Sequence, residues 1–291
     1  MNTVASVAKL VPATADRSIG AIMIDNGKLT VDEAEQVLRL QKQQGIRFGE
    51  AAIKLGLLTP EDIQFALNRQ YGYPCLRRGD SRISEEIVAA YQPQSPQVEA
   101  LRALRSQLML RWFTGEGNGK ALAVVSPGRG EGRSYLAANL AVVFSQLGEN
   151  TLLIDADMRH GRQHQLFNVE NYSGLSTVLA GRSQTAPVLR LAELNALSIL
   201  TAGPVPPNPQ ELLGRDVFPR LMEKFANMFD VVIVDTPAGT AYADAQTISA
   251  RVGGAIMLAR QDFTGINGAS QFGKSLGELG VSLVGVVLND F

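Results

Sequence analysis

The sequence is poor in cysteine and lacks a long apolar run. Its 291 residues include one cysteine, Cys75, which excludes an internal disulfide framework and fits a reducing, cytoplasmic compartment. No run reaches the roughly 18 apolar residues of a membrane-spanning helix. Lysine and arginine (27) nearly balance aspartate and glutamate (28), so composition provides no reason to expect nucleic-acid binding. Any association with a membrane is therefore expected to depend on a partner.

Composition and length predict folded domains of unequal size. Hydrophobic residues make up 45% of the chain, enough for a sizeable core, and the length suits one large and one small domain. We predict a flexible tail over residues 1–16 and a helical domain over 17–76. A linker is predicted over 77–96, where turn residues and prolines accumulate, followed by a larger domain over 97–291.

The helical domain contains an internal repeat with an offset of 29 residues. Gly20, Gly27, Thr30, Leu38 and Gln41 of the first copy coincide with Gly49, Gly56, Thr59, Leu67 and Gln70 of the second. Each copy is typical of a short helix that ends at glycine, followed by a second helix. The second helix begins at threonine with an acid three residues later. The repeat predicts two copies of a helix–turn–helix unit.

A glycine-rich loop opens the larger domain. The apolar run Ala121–Val125 leads into SPGRGEGRS over residues 126–134, and an amphipathic run follows. Strand, glycine loop and helix in this order predict a polyphosphate site, because N–H groups at the helix N-terminus point at the anion. Ser134 lies where such loops place a hydroxyl on Mg²⁺, and Arg133 stands where lysine is usual. The expected nucleotide contacts are Gly128, Arg129, Gly130, Glu131, Gly132, Arg133, Ser134 and Tyr135.

Further apolar runs end in aspartate. Asp155 and Asp157 follow the run Thr151–Ile154, and Asp235 follows Val231–Val234. Carboxylates at strand ends beside a phosphate loop can hold Mg²⁺ or accept a hydroxyl proton. For each aspartate considered alone, the alternative is a polar residue that ends a strand and has no role in binding. Their occurrence with the loop favours a metal–nucleotide site, with Ser134, Asp155 and Asp235 as the expected metal ligands.

Short apolar runs alternate with helical patterns from residue 121 to residue 288. This alternation predicts an α/β fold with a mostly parallel sheet and helices on both faces. Ligands of such sheets bind beyond the carboxyl ends of the strands. Together with the glycine loop, the pattern predicts a P-loop NTPase domain.

The segments from about Ser95 to Asn289 resemble the bacterial tyrosine kinases that accompany polysaccharide chain-length regulators, within the MinD/ParA-like P-loop group. The EpsG-like exopolysaccharide kinases are similar in particular. The match also includes residues 99–105 (EALRALR), 174–180 (GLSTVLA) and 203–213 (GPVPPNPQELL). The resemblance implies ATP and Mg²⁺ as cofactors and phosphotransfer to protein tyrosine. It also implies a role in exopolysaccharide polymerisation and export, with a Wzz-like inner-membrane chain-length regulator as the partner that brings a cytoplasmic protein to the membrane.

The same resemblance assigns roles to individual residues. It makes Asp155 and Asp157 the Walker A′ pair and Asp235 the Walker B acid, which form the catalytic set with Arg133. Asn289 is expected to contact adenine, with a polar strand end as the alternative. The family's oligomerisation motif corresponds to Glu99, Arg102 and Arg105 and implies a homo-oligomer. A solvated helix face is the alternative there.

The N-terminal repeat resembles the N-terminal domain of type II secretion and pilus ATPases, some of which bind cyclic-di-GMP. The implied contacts are Arg17, Gly20, Gln41, Arg47, Gly49 and Gln70. Ser18 occupies the arginine position of the first copy, so we expect the second copy to dominate. The alternative is a structural adaptor whose glycines end helices.

Two features depart from the kinase pattern. Arg133 replaces the lysine that stabilises the transferring phosphoryl group, and the last tyrosine of the sequence is Tyr242, so no tyrosine-rich tail follows Asn289. Gly128 occupies the place of the MinD/ParA signature lysine. ATP binding is thus better supported than phosphotransfer. The alternatives left open are a non-catalytic switch governed by ATP and cyclic-di-GMP, and a MinD/ParA-like ATPase.

Overall fold

The computed structural model describes residues 17–114, 119–183, 185–194 and 196–290. The chain divides into two compact units between Arg77 and Arg78. The predicted tail over residues 1–16 lies outside the described residues. No helix within the described ranges is long and apolar enough to cross a bilayer.

The described part of the first unit is helical. Its elements are α1 (Ile19–Asp25), α2 (Val31–Gln44), α3 (Phe48–Lys54) and α4 (Pro60–Gln70). Their apolar faces enclose one core, in which Met23, Val37, Ala51 and Ala66 are fully buried. Each helix contributes to this core, so neither repeat copy buries its apolar face alone.

The two repeat copies end and begin their helices in the same way. Thr30 and Glu33 form a capping box at α2, with the Glu33 N–H 3.2 Å from Thr30 Oγ1 and the Thr30 N–H 2.7 Å from Glu33 Oε2. Thr59 and Asp62 repeat it at α4, at 3.2 and 3.0 Å. The turns before these caps contain Gly27 and Gly56, with φ of 66° and 68°. The two copies therefore share the same turn and the same helix cap.

The other repeated glycines are packing positions. A Cβ atom on Gly20 would lie 3.1 Å from the Phe48 ring, and one on Gly49 would lie 3.0 Å from Ile63 Cγ2. Both glycines let neighbouring helices approach closely, which is a structural explanation for their repetition.

The second unit is a layered α/β domain. Its strands are β1 (Ala121–Val125), β2 (Thr151–Asp155), β3 (Leu189–Arg190), β4 (Leu197–Leu200), β5 (Val231–Asp235), β6 (Gly254–Arg260) and β7 (Ser282–Asn289). Its helices are α5 (Val88–Tyr91), α6 (Pro96–Leu108), α7 (Arg133–Gln146), α8 (Gln163–Leu166), α9 (Leu175–Leu179), α10 (Pro209–Gly214), α11 (Val217–Met228), α12 (Asp244–Val252) and α13 (Ile266–Glu278). A π-helical turn, Met109–Phe113, follows α6.

The described strands form one sheet in the order β3-β4-β2-β5-β1-β6-β7. Every neighbouring pair is parallel except β3 with β4. All residues of β1, β2 and β5 are buried, so alternate side chains on both faces of the central strands are covered. The predicted α/β class is confirmed. The sequence pattern missed β3, α8 and α10 because two to six residues are too few to show a period.

The segment predicted as a linker over 77–96 packs into the second unit from Arg78 onward, so that prediction is wrong. Ile87, Ala89 and Ala90 are fully buried. Asn139 of α7 fixes the segment, because its Oδ1 accepts the Ala89 N–H at 2.9 Å and its Nδ2 donates to the Glu86 carbonyl at 3.2 Å. Turn residues misled the prediction, since they also occur in compact, well-packed segments.

Asp62 combines a helix cap with two ion pairs, to Lys28 and Arg77, both at 3.3 Å. Burial alone would raise the pKa of Asp62, but the hydrogen bonds from Thr59 and Lys28 outweigh it and lower the pKa. We expect Asp62→Asn to reduce the stability of α4 by about 1 kcal/mol at neutral pH. Amide hydrogen exchange over residues 60–70 measures this loss.

A lowered acid pKa stabilises the fold above the pKa of the unfolded chain, and this contribution disappears as pH falls through the folded value. The difference between wild type and Asp62→Asn should therefore shrink in acid. Glu61→Gln, an exposed change in the same turn, is the control. Equal exchange in Asp62→Asn and Glu61→Gln would contradict the importance of the Asp62 cap.

Candidate nucleotide-binding site

The predicted acids and the glycine loop meet at the carboxyl ends of three neighbouring strands. β1 runs into the loop, β5 lies beside β1, and β2 lies beside β5. Asp155 and Asp235 are register partners across β2 and β5, and Asp235 is also the partner of Val124 in β1. Parallel pairing thus brings residues 80 positions apart in sequence to one point beside the loop.

The loop has the backbone shape that its glycines predict. Gly130 and Gly132 have φ of 72° and 98°, and Gly132 is the N-cap residue of α7. Side chains strongly disfavour this region of φ, so glycine is required for the turn into the helix. Tyr135, predicted as a contact, is half-buried in the first turn of α7.

Glu131 turns inward to hold the loop. Its side chain is buried, and its carboxylate accepts the Gly128 N–H at 2.7 Å and the Thr264 hydroxyl at 2.5 Å. Asn289, at the end of β7, donates from Nδ2 to the Glu131 carbonyl at 3.0 Å. The Glu131 side chain therefore shapes the loop, and a nucleotide contact of this residue remains a prediction. Asn289 lies against the loop, with its adenine contact still a prediction.

Arg133 is bound to protein acceptors. Its Nε donates to the Thr236 carbonyl at 2.9 Å, and Nη1 donates to the Gly128 carbonyl at 2.5 Å and to Ser126 Oγ. Burial lowers the pKa of Arg133, and the nearby Asp235 carboxylate opposes this shift. The guanidinium thus ties the loop to the residue that follows β5 through two separate nitrogens. A lysine ammonium has a single nitrogen and cannot reproduce this planar fork.

Asp155 and Asp157 are held by the backbone of the turn that follows β2. Asp155 is fully buried and accepts the N–H groups of Asp157 at 3.2 Å and Gln163 at 2.9 Å. Asp157 accepts the N–H groups of Arg159 at 3.1 Å and His160 at 2.9 Å, through Oδ1 in both cases. Burial and the facing Asp235 carboxylate raise the pKa of Asp155 well above its usual range.

Asp235 is buried although it ends a strand. Its Oδ2 accepts Gln163 Nε2 at 2.8 Å, whereas Oδ1 accepts no hydrogen bond of normal geometry among the described residues. Burial raises the pKa of Asp235 to about 6, against the effect of hydrogen bonds from Gln163 and Ser134. A buried carboxylate oxygen without a donor, next to a hydroxyl, is a suitable cation ligand.

The donors present fit Mg²⁺ together with a phosphate ligand. No group of three or more His, Cys, Asp or Glu side chains in the described ranges forms a metal site by itself. Mg²⁺ typically uses one or two carboxylates and completes its octahedron with water and substrate phosphates. Ser134 and Asp235 could supply such a partial set, with Asp155 beside Asp235 on the neighbouring strand.

Sequence reasoning missed several residues around the site. Gln163 donates to Asp235 and to the Ser134 carbonyl, at 2.8 and 3.1 Å. Arg159 forms an ion pair with the buried Asp244 at 2.7 Å. These contacts join elements distant in sequence, and no local pattern marks them. Arg129, which was predicted, is exposed, and its Nη2 lies 3.0 Å from His160 Nε2.

The predicted oligomerisation residues lie on α6. Arg102 Nη1 donates to Glu99 Oε2 at 3.0 Å on the helix surface. Arg105 Nη1 donates to the Val143 carbonyl of α7 at 2.8 Å. Glu99 is exposed, so the motif has one outward pair and one residue that holds α6 against its own domain.

In the first unit, residues from both repeat copies meet. Arg17 forms an ion pair with Asp25 at 2.6 Å, and its carbonyl accepts Gln70 Nε2 at 3.1 Å. Arg47 is exposed, and its guanidinium forms no ion pair or hydrogen bond within the described part of the chain. Gln41 is half-buried on α2.

The raised pKa of Asp235 predicts that its ionised carboxylate destabilises the fold, to an extent that depends on pH. A folded-state pKa near 6, above the ordinary 3.8, means that stability falls as pH rises through about 6. Without Mg²⁺, we expect Asp235→Asn to be more stable than wild type at pH 7.5 by up to about 3 kcal/mol, since one pKa unit corresponds to about 1.4 kcal/mol. Urea unfolding in EDTA at pH 5 and 7.5 measures the difference.

Asp216→Asn, a change of an exposed acid, is the control and should leave the pH dependence unchanged. If Asp235→Asn is less stable than wild type at both pH values, the carboxylate at this position stabilises the fold, contrary to this account.

Comparison with known proteins identifies tyrosine-protein kinases as relatives. No family model matches the sequence. Tyrosine-protein kinase YwqD of Bacillus subtilis (strain 168) is 34% identical over 209 residues, which cover 72% of this chain and 87% of the relative. Tyrosine-protein kinase etk of Escherichia coli (strain K12) is 37% identical over 206 residues, which cover 70% of this chain. The chain spans 28% of the length of that relative.

Solved structures agree with these relatives. The kinase domain of Escherichia coli tyrosine kinase ETK matches with a TM-score of 0.68 at 33% identity, over 74% of this chain and 83% of that chain. MinD from Pyrococcus horikoshii, solved with Mg-ADP, matches with a TM-score of 0.51 at 21% identity, over 58% of this chain and 70% of that one. The latter likeness concerns the fold alone. The second unit therefore has a MinD-like P-loop fold, and the chain belongs to the bacterial tyrosine-protein kinase family.

Proposed function

We propose that the chain binds Mg·ATP at the loop of residues 128–134 and transfers phosphate to protein tyrosine. The observation that carries the proposal is the register of β2 and β5, which places Asp155 and Asp235 side by side next to the loop. Binding of Mg·ADP by the structural neighbour MinD, and the kinase names of the relatives, support it. When bound, Mg²⁺ would neutralise the negative charge that develops on the phosphates during transfer.

The residues of the site are assigned different roles because their environments differ. The N–H groups of the loop and of the first turn of α7 would bind phosphate, and Ser134 and Asp235 would hold the metal. Asp157 is less deeply buried than Asp155, with 10% of its side chain exposed. We assign Asp157 to accept the tyrosine hydroxyl proton, because a base must reach its substrate. Asp155, enclosed by backbone donors, orients the turn that presents Asp157.

Arg133 supplies positive charge from inside the loop. Because its guanidinium already donates to three protein acceptors, we propose that it fixes the loop first and stabilises phosphate charge second. This order of roles suits tight nucleotide binding with slow transfer. Asn289 is proposed to contact the adenine from its position against the loop.

We further propose a role in exopolysaccharide synthesis, as a homo-oligomer at the cytoplasmic side of the inner membrane, with a chain-length regulator as partner. The tyrosine-kinase relatives support this assignment. The exposed Glu99–Arg102 pair on α6 is the proposed contact between copies. Arg105 would position α6 for that contact through its bond to Val143.

Phosphotransfer is tested with the purified chain and Mg·ATP, alone and with the cytoplasmic part of the regulator, by mass spectrometry for phosphotyrosine. We expect Asp157→Asn, which removes the proposed base, to reduce transfer at least about 100-fold. Arg133→Lys should keep nucleotide binding and maintain or increase transfer, because a lysine amine released from the loop carries a compact charge. Arg182→Lys, at an exposed position, is the control.

Loss of transfer in Arg133→Lys would show that the arginine fork is required for the reaction. Nucleotide binding without phosphotyrosine under either condition would favour the alternative, a non-catalytic switch in which ATP controls assembly.

For the first unit we propose a cyclic-di-GMP site dominated by the second repeat copy. Its support is the sequence repeat, the exposed and unpaired Arg47 among the described residues, and the contact of Gln70 with Arg17. An arginine fork can pair with a phosphate or with a guanine edge. The relatives reported above add no support for this ligand, and the packing roles of Gly20 and Gly49 fit the adaptor alternative equally well.

Calorimetric titration of the full chain with cyclic-di-GMP tests this second proposal. Wild type should bind, and Arg47→Ala should weaken binding about tenfold, because a charged hydrogen bond contributes about 1.5–3 kcal/mol. Arg39→Ala, an exposed change on α2, should bind like wild type. If wild type shows no heat of binding at ligand concentrations of about 50 μM, a range that detects affinities near −6 kcal/mol, the unit is an adaptor.

A further inference from the structure

Gln163 connects the three nucleotide motifs. Its backbone N–H donates to Asp155 Oδ2 at 2.9 Å. Its side-chain Nε2 donates to Asp235 Oδ2 at 2.8 Å and to the carbonyl of Ser134 at 3.1 Å. The residue is fully buried in α8. One side chain thus bonds simultaneously to the first turn of the loop helix and to the acid that ends β5.

The orientation of this amide follows from its partners. Both partners of Nε2 are acceptors, so the NH₂ group must face them. Oε1 is buried and accepts no hydrogen bond from the described residues. All hydrogen bonds of the side chain are therefore directed at the candidate site, which is unusual for an amide that only fills the core.

The amide distinguishes the two oxygens of Asp235. Oδ2 accepts a hydrogen bond from Gln163, whereas Oδ1 is buried and has no hydrogen-bond partner among the described residues. Turning the carboxylate out of its present plane would move its oxygens away from Nε2 and break this bond. The hydrogen bond therefore fixes the plane of the carboxylate and the direction in which its second oxygen points.

We propose that Gln163 is a positioning residue that holds Asp235 so that Oδ1 faces the Mg²⁺ of a bound nucleotide, an inference that rests on the proposed function of this site. A group that hydrogen-bonds a metal-binding carboxylate sets its orientation, and its loss typically costs about 10- to 100-fold in metal affinity. Gln163 adds a link between the loop and the acids that none of the sequence motifs contains.

The test is calorimetric titration of the full chain with ADP, once with Mg²⁺ and once with EDTA. The Kd in EDTA divided by the Kd in Mg²⁺ gives a ratio that measures how much Mg²⁺ strengthens ADP binding. Gln163→Met keeps the side-chain length and removes both N–H donors. We expect it to reduce this ratio about tenfold or more while Kd in EDTA changes less than about twofold. Gln165→Met, on the exposed side of the same short helix, should keep the wild-type ratio.

The outcomes separate this inference from the function on which it rests. If wild type binds no ADP, or binds it equally with Mg²⁺ and EDTA, the proposed function fails. If wild type responds to Mg²⁺ and Gln163→Met responds equally, the positioning role alone is overturned. A parallel rise of both Kd values at constant ratio would indicate a purely structural role and would also overturn it.

A double variant controls for misfolding, because Gln163→Met alone leaves the buried Asp235 carboxylate without the donor at Nε2. Asp235→Asn removes that charge and can carry Gln163→Met as a double variant. If Gln163 acts through Asp235, the second change should alter the Mg²⁺ ratio of Asp235→Asn by less than about twofold. A further tenfold reduction would mean that Gln163 acts on the metal by another route, and would contradict the proposal.

Discussion

Two aspartates that face each other across neighbouring strands, both removed from water, are the constraint on which this site depends. Asp155 and Asp235 are register partners and fully buried. Like charges at this spacing in a low-dielectric interior strongly disfavour joint ionisation. Backbone N–H groups of the turn after β2, the Gln163 amide and the nearby Arg133 charge offset part of the cost. A divalent cation bound between Ser134 and Asp235 would offset a further part of this cost.

The glycine loop is held by the protein's own groups. Glu131 accepts the Gly128 N–H, Arg133 donates across the loop to Thr236, and Arg260 Nη1 donates to the Gly130 carbonyl at 3.2 Å. Donors fixed before the ligand arrives need little reorganisation, which favours binding and charge stabilisation. Arg133 stands where such loops usually have a lysine that contacts phosphate. In this protein the side chain at that position also holds the loop in shape.

Local chemistry made much of this protein predictable. The capping boxes at Thr30 and Thr59 could be predicted because each needs only two residues three positions apart. The strand before the glycine loop could be predicted from its apolar run. Asp155 and Asp235 could be named because each directly follows such a run, and Asp157 because it lies two residues after Asp155. Gln163 could not, because its importance arises from the pairing of β2 with β5 and from a four-residue helix without a detectable period. The packing of residues 78–96 was missed for a similar reason, since it depends on Asn139, some 50 residues further along the chain.

The central claim is that the aspartates at the ends of β2 and β5 and the glycine loop form one magnesium–nucleotide site. A crystal structure of the chain grown with Mg²⁺ and ADP tests this most directly. The account predicts the β-phosphate within the loop of residues 128–134 and a magnesium ion beside Ser134 and Asp235. Nucleotide bound elsewhere, or bound in the loop with no metal near Asp235 at saturating Mg²⁺, would contradict it.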